Sequence, residues 1–229
     1  MDWLFKPLRP VFRDIKENVA IYGLTDVVYY CSEDGEANVR ERVYGEVLHF
    51  LDALPLPPEE EIQLHVIGHS LGCTVAFDFL FGLFYQGYKN NTPDFAKPDY
   101  PADEGFKLLY KKFRIRADAG TLKLGSLSMS ASQLPLLVMR RQRLVEQLAR
   151  GELLDIGVIG VTPGNGTKVA TFYDQDDLLG FPTRSLFADR SRMEEWEVNT
   201  GYRPDAAHSA YWSNPDVLRQ IARVMKGNM

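Results

Sequence analysis

The sequence predicts an α/β protein: a mostly parallel sheet with helices on both faces. Three observations carry that expectation. Stretches of strand period alternate with stretches of helical period along the chain, the pattern of strands joined by crossover helices. Residues 62–83 (IQLHVIGHSLGCTVAFDFLFGL) pass from strand to apolar helix across a glycine-bounded bend. The chain has 229 residues, 45% hydrophobic and 12% aromatic, enough to bury the core of one domain spanning 1–229.

The elements follow in order. Residues 11–22 carry a weak helical pattern. Val27, Val28, Tyr29 and Tyr30 form a β-branched and aromatic run, which predicts a buried strand. Residues 32–35 predict a polar turn. From Glu36, apolar residues fall at Val39, Val43, Val47, Phe50, Leu51 and Leu54, a helical stripe, and Pro55, Pro57 and Pro58 end that helix. A strand–helix–strand unit of this kind sets its two strands parallel through a right-handed crossover. In the next strand Ile62, Leu64 and Val66 alternate with Gln63, His65 and Ile67. The helix of residues 71–83 has Gly82 as its single breaker beyond the Gly72 of the bend.

Residues 90–105 hold Pro93, Pro98, Pro101 and several acids and predict a loop, with a short helix at 106–116. Together 89–116 read as an excursion from the sheet, either a lid over the site or a long connection. Residues 122–129 predict a strand with small residues where a helix packs closely. Pro135 opens a helix and Gly151 closes it, with Leu137, Leu144 and Leu148 turned inward and Val138 and Val145 beside them. Residues 156–161 are apolar with interspersed glycine and fit neither period. Residues 169–173 (VATFY) and 195–199, around Trp196 and Val198, predict strands. Asn214-Pro215-Asp216 is a helix start, and that helix runs through Ile221 and Val224 to Gly227.

The bend itself is Gly68-His69-Ser70-Leu71-Gly72, a G-x-S-x-G spacing. A serine that points its hydroxyl out of a sheet edge sits on a sharp, strained turn. The residues two before and two after it then lack a Cβ so that strand and helix can pass closely. The turn aims the Leu71 N–H, at the helix N-terminus, at any negative charge developing beside Ser70. Chance alone produces a bare G-x-S-x-G in roughly one chain in ten of this length, so the flanking strand and helix carry the signal. The competing reading is a glycine-rich βα turn with Ser70 as an N-cap.

Composition narrows the function. A net charge of −5 and a pI near 5.4 argue against nucleic acid as a partner. Arg140, Arg141 and Arg143 read as the solvated face of one helix. Cys31 and Cys73 have no spacing pattern of a disulfide framework or zinc site, and Cys73 reads as a small buried apolar residue. Residues 90–92 and 165–167 match the glycosylation sequon and read as chance matches. Residues 1–10 (MDWLFKPLRP) have neither the apolar run of a secretory signal nor that of a membrane span, so the expectation is a cytoplasmic protein without an integral membrane segment. The oligomeric state is not legible. Residues 160–168 (GVTPGNGTK) lack the Gly-Lys-Ser/Thr ending of a phosphate loop. His65 and His69 are four apart on a strand, so they do not form a metal pair as they would on a helix; no metal or cofactor is called for.

GHSLG between a strand and an apolar helix resembles the nucleophile elbow of the α/β-hydrolase superfamily. The resemblance implies that fold, and it implies Ser, acid and His in that chain order. Asp174, Asp176 and Asp177 follow the predicted strand VATFY. Asp176, ahead of Asp177-Leu178-Leu179, matches the superfamily's acid best, with Asp174 and Asp177 open. His208, in a polar loop between the last strand and the last helix, matches the general base. The implied chemistry is acyl transfer to water by Ser70, His208 and Asp176. The Leu71 N–H is one oxyanion donor, and Gly68, His69 and Gly72 shape the elbow and pocket. Phe77, Phe79, Phe81, Phe84 and Tyr85 make the elbow helix aromatic. Where they line a pocket they favour a small-molecule or lipid-like ester, as in a carboxylesterase or lipase. A peptidase, amidase or thioesterase uses the same three side chains.

One departure matters. The superfamily takes its second oxyanion donor from a loop after an earlier strand, often with His-Gly, and no such dipeptide precedes Val27. The early strands are reduced or missing: either the fold is shortened, or Met1 lies inside a longer ancestor. The turn of residues 31–35 is a substitute donor. Without one, the rival expectation is a non-catalytic binding module on a hydrolase scaffold.

Overall fold

A computed structural model gives the structure, which describes residues 24–85, 102–137, 142–162, 166–201 and 204–227. The expectations for residues 11–22 and for most of the 90–105 loop lie outside the described residues. Four parallel strands form one sheet in the order β1-β2-β3-β4: β1 (Ile62–His69), β2 (Leu122–Ser130), β3 (Lys168–Tyr173) and β4 (Met193–Glu197). Ahead of the sheet lie α1 (Leu24–Cys31) and α2 (Glu33–Asp52). Between β1 and β2 run α3 (Leu71–Phe84) and α4 (Glu104–Asp118). Between β2 and β3 come α5 (Leu134–Leu137), α6 (Gln142–Ala149) and a 3₁₀ turn at Ile156–Ile159. After β4 come α7 (Pro204–Ala210), a 3₁₀ turn at Tyr211–Ser213 and α8 (Pro215–Lys226). The chain is thus an α/β fold.

The sheet has a core on each side. On one, α3 packs on β1 while α4 packs on α2, α3 and β2, burying Leu80, Leu83, Phe113 and Leu127. On the other, α8 packs on β2 and β3 and buries Val217, Ile221 and Val224 with Ala170 and Phe172. A bulge sets the parity of β2. Leu64 pairs with Leu124 but His65 pairs with Ser126, leaving Gly125 as the extra residue. One extra residue reverses the alternation. Leu122 and Leu124 before it and Leu127 and Met129 after it therefore all enter the same core. A Cβ at Gly125 would lie 2.7 Å from the His65 ring, so the bulge needs glycine.

The N-terminal expectations need correction. Residues 27–30 are helical, within α1, not a buried strand. Val28 is 68% and Tyr29 48% exposed, while Tyr30 is fully buried. β-branched and aromatic content reads as strand, but tertiary contact decides so short a run. The Tyr30 hydroxyl donates to Asp78 Oδ2 on α3 at 2.7 Å, and Arg40 on α2 donates to the same oxygen at 3.1 Å. Among the described residues no strand precedes β1. Residues 32–35 are not a free turn: Ser32 caps α2 by accepting from the Gly35 N–H at 3.1 Å. The inward stripe of α2 is Ala37, Arg40, Tyr44, Leu48 and Leu51. Leu51 is buried and Val39 and Leu54 pack against the core as predicted, but Val43, Val47 and Phe50 face solvent, so in the middle of the helix the register lies one residue from the predicted one.

Other elements fall where the periodicity puts them. α4 extends the predicted 106–116 helix, starts at the Asp103 cap and buries Phe106, Tyr110 and Phe113 in the main core. Of the helix expected from Pro135 to Gly151 the described residues show α5 and α6; Leu137 is buried and Leu148 packs against the core, Val138 and the side chain of Leu144 lie outside the described residues, and Gly151 has a φ of 75° just past α6. Asn214 caps α8 by accepting from the Asp216 and Val217 N–H groups. Residues 156–161, unplaced by period, supply the 3₁₀ turn that packs on α3. No helix among the described residues is long and apolar enough to cross a membrane.

Gly160 closes that turn at a φ of 90°, and a Cβ there would lie 2.7 Å from Phe84 Cγ. Gly160→Ala therefore combines left-handed strain with overpacking. A loss of about 2 kcal/mol or more is expected, read as a lower urea midpoint at unchanged slope.

Candidate active site

Ser70 joins the carboxyl end of β1 to α3, where open parallel sheets place their sites. Its φ of 55° and ψ of −129° lie outside the allowed regions for a residue with a Cβ, a strain of about 1–3 kcal/mol. The cause is close passage of strand and helix. A Cβ on Gly68 would sit 2.9 Å from the Cys73 Cα, so glycine is required there. Gly72 differs from the expectation: a Cβ would meet nothing within 4 Å. The bend is pinned by the Ser70 N–H donating to the Ser130 carbonyl and the Cys73 N–H to the Ser70 carbonyl, each at 3.0 Å. Ser70 occupies the N-cap position of α3 but its side chain makes no cap hydrogen bond. The hydroxyl is turned to His208 instead, which a simple capping serine would not do.

His208 closes the site from 138 residues away, with Nε2 at 2.8 Å from Ser70 Oγ. It lies in α7 rather than in the expected loop. Its Nδ1 is 2.9 Å from Asp177 Oδ1 and 3.1 Å from Oδ2. A carboxylate only accepts, so Nδ1 carries the proton and the Nε2 lone pair faces the serine O–H. The Asp177 side chain is fully buried and the imidazole 20% exposed. Asp177 also accepts from the Leu179 N–H at 2.9 Å and the Tyr211 hydroxyl at 3.1 Å. Burial first, and the Asp177 charge second, raise the Tyr211 pKa and keep it a donor. A Cβ at Gly180 would overlap Asp177 Oδ2, so this tight turn needs glycine as well.

The carboxylate that meets the imidazole is thus Asp177, not Asp176. Asp176 is exposed, and its N–H donates to Asp174 Oδ1 at 2.9 Å. In a turn with three acids among four residues, backbone direction decides which one points inward, and side-chain type carries no trace of it. Asp174 has a separate task. It accepts from the N–H and hydroxyl of Thr200, tying the end of β3 to the segment that leads into α7. Burial pushes its pKa up, but the hydrogen bonds from Asp176 and Thr200 outweigh that and hold it below the ordinary value.

His69 lies beside this relay. Its Nδ1 is 3.1 Å from Ser130 Oγ, and its ring centroid is 5.2 Å from that of His208 and 5.5 Å from that of Trp212. Cys73 is buried, and burial pushes its thiol up to about 12, which leaves it a neutral packing residue.

Two residues of the site escaped sequence reasoning. Tyr211 orients Asp177. Gln133, 2% exposed, donates from Nε2 to Ser70 Oγ at 3.2 Å. The only sequence signal for Gln133 is its place just beyond a strand's carboxyl end. The conformation that aims it is invisible in sequence: Ala131 takes a φ of 52°, and Ser132 Oγ accepts from the Leu134 N–H at 3.2 Å to start α5. Among the described residues no group of three or more His, Cys, Asp or Glu side chains could hold a metal ion. Comparison of the chain with family models, curated proteins and solved structures gives no match.

The two elbow glycines should respond oppositely to alanine. Gly68→Ala forces backbone apart and should cost about 2 kcal/mol or more. Gly72→Ala, inside α3 and unobstructed, should raise stability by up to about 1 kcal/mol; urea melts separate the two. His69 gives a pH signature. Burial first, and His208 second, lower its pKa from 6.5 to about 4. Between those values the unfolded chain binds a proton that the folded chain excludes, so stability falls as pH drops from 6.5 towards 4. His69→Gln should flatten that part of the curve of urea midpoint against pH.

Proposed function

We propose that the chain is a serine hydrolase of the α/β-hydrolase type that cleaves carboxylic esters through an acyl-enzyme. One observation carries this: an unbroken hydrogen-bond relay from Asp177 through His208 to a serine held at a strained strand–helix bend. Strain at a non-glycine residue persists only where its surroundings enforce it, and such places cluster at functional sites.

The steps follow from the donor directions. Ser70 Oγ bonds to the ester carbonyl carbon as its proton passes to His208 Nε2, and the carbonyl π pair moves onto oxygen. Asp177 keeps Nδ1 protonated and offsets the imidazolium charge. The tetrahedral species collapses, the C–O bond to the alcohol breaks, and His208 returns the proton to the leaving oxygen. Water then repeats the sequence on the acyl-serine, with His208 as its base, and releases the carboxylic acid. The Leu71 N–H, at the first helical position, has no intrahelical acceptor and is free to hold the oxyanion.

An apolar acyl group is favoured by what stands on the same segments. Leu136 on α5 is 48% exposed, Leu178 beside Asp177 52%, and Trp212 after α7 52%. Three large apolar side chains left in solvent on the segments that supply the site suit a lipid-like or aromatic ester over a charged substrate. The non-catalytic binding module is the second reading. It is favoured by the lack, among the described residues, of a strand ahead of β1 to present the usual oxyanion loop.

A fluorophosphonate probe separates the two. The folded wild-type chain should be labelled and Ser70→Ala should not; an unlabelled, folded wild type would favour the binding module. Asp177→Asn should lower kcat/KM for p-nitrophenyl butyrate by roughly 10³–10⁴-fold through loss of the imidazole tautomer. Asp176→Asn should stay within about twofold, since its side chain faces solvent.

A further inference from the structure

The serine-hydrolase assignment leaves one donor unaccounted for. A single N–H, that of Leu71, is a weak oxyanion pocket, and the described residues hold no earlier strand whose loop could add a second. We infer that the carboxamide of Gln133 supplies it, with Nε2 acting beside the Leu71 N–H as an oxyanion donor. The inference rests on the hydrolase assignment and deepens it.

Four features carry the inference. The first is direction. Nδ1 of His208 donates to Asp177, and the Ser70 hydroxyl donates to Nε2, so Ser70 Oγ has lone pairs left to accept. Only the NH₂ end of Gln133 can satisfy them, which fixes the orientation of the amide. The second is place. Gln133 follows Ser130, whose carbonyl accepts the Ser70 N–H, so the carboxamide approaches Ser70 from the β2 side. Ser70 Oγ thus meets both the imidazole and the amide.

The third is cost. Gln133 Oε1 is buried with no hydrogen-bond partner among the described residues. An orphaned buried carbonyl costs about 1–3 kcal/mol. A methionine of the same length would fill that space without the penalty, so packing does not account for a glutamine here. The fourth is exchange. In the resting site the amide N–H rests on a neutral hydroxyl oxygen. Once Oγ bonds to the acyl carbon it becomes an ester-type oxygen and a poor acceptor, while full negative charge appears on the oxygen attached to that same carbon. The N–H exchanges the weaker acceptor for the stronger one. The interaction is therefore tighter in the transition state than before it, the condition for raising kcat.

The test uses the full chain, Gln133→Met and Gln133→Glu, with folding checked by thermal melting. Wild-type labelling by a fluorophosphonate, absent in Ser70→Ala, first establishes the nucleophile. If that fails, the hydrolase assignment falls and the inference with it. With labelling in hand, p-nitrophenyl butyrate gives kcat and KM. Phenylboronic acid serves as the tetrahedral mimic: its boron takes the Ser70 Oγ lone pair, and a boronate oxygen fills the oxyanion position. Gln133→Met should lower kcat by roughly 10²–10³-fold with KM within about threefold, and should weaken phenylboronate inhibition by a similar factor. Gln133→Glu keeps the shape, loses the donor and adds repulsion, so it should lose at least as much. A kcat within about threefold of wild type in either folded variant would overturn the inference and leave the hydrolase assignment standing. So would a fall in kcat with phenylboronate inhibition unchanged, which would make Gln133 a prop for the resting serine only.

Discussion

The structure turns on the contact between Gly68 and the backbone of Cys73. Strand and helix pass so closely there that no side chain fits between them. The chain can make the turn only by forcing Ser70 to positive φ. That strain lifts the hydroxyl away from the cap position of α3 and presents it beyond the end of the sheet. The alternative, a relaxed serine bonded to its own helix, would leave nothing for His208 to meet. Two supports absorb the strain: the hydrogen bond that extends the ladder from Ser70 to Ser130, and the burial of α3 in the main core. A local conformation of this kind survives because its neighbours over-determine it.

A second constraint is the burial of charge. Asp177 has no exposed side-chain surface, and a buried carboxylate is tolerated only when its lone pairs are filled. The Leu179 N–H, the Tyr211 hydroxyl and His208 Nδ1 fill them. Each of these partners also holds a piece of chain: the turn after β3, the 3₁₀ turn before α8, and α7. Satisfying one carboxylate therefore assembles three segments around the serine. Asp78 plays a similar part away from the site, where Tyr30 and Arg40 converge on it and fasten α1 and α2 to α3.

Legibility in sequence followed the range of the forces involved. Strands with strong apolar pattern, such as residues 62–67 and 169–173, and helices with clear caps, such as the one begun by Asn214, were readable because their signals are local. Residues 27–30 misled, because β-branched and aromatic side chains favour strand on average while Tyr30 is bound to a helix through its hydroxyl. The middle of the α2 stripe, at Val43 and Val47, slipped by one position because Arg40, a buried cation paired with Asp78, does not look like a core residue. Gly125 had no warning at all: its bulge is a property of the pairing between β1 and β2.

At the site the same division holds. Residue order alone determined that a serine at a glycine-bounded bend is followed by acids after a late strand and by a histidine near the end of the chain. Spacing of small residues and strand or helix period suffice for that, since both act over a few residues. Tertiary structure decided that Asp177, rather than its neighbour Asp176, turns inward, that His208 rides on a helix, and that Gln133 reaches the serine. Those outcomes depend on backbone angles at Ala131 and in the turn after β3, and on contacts between segments far apart in the chain. Such angles and contacts are set by the packed whole, and no local pattern of residue types records them.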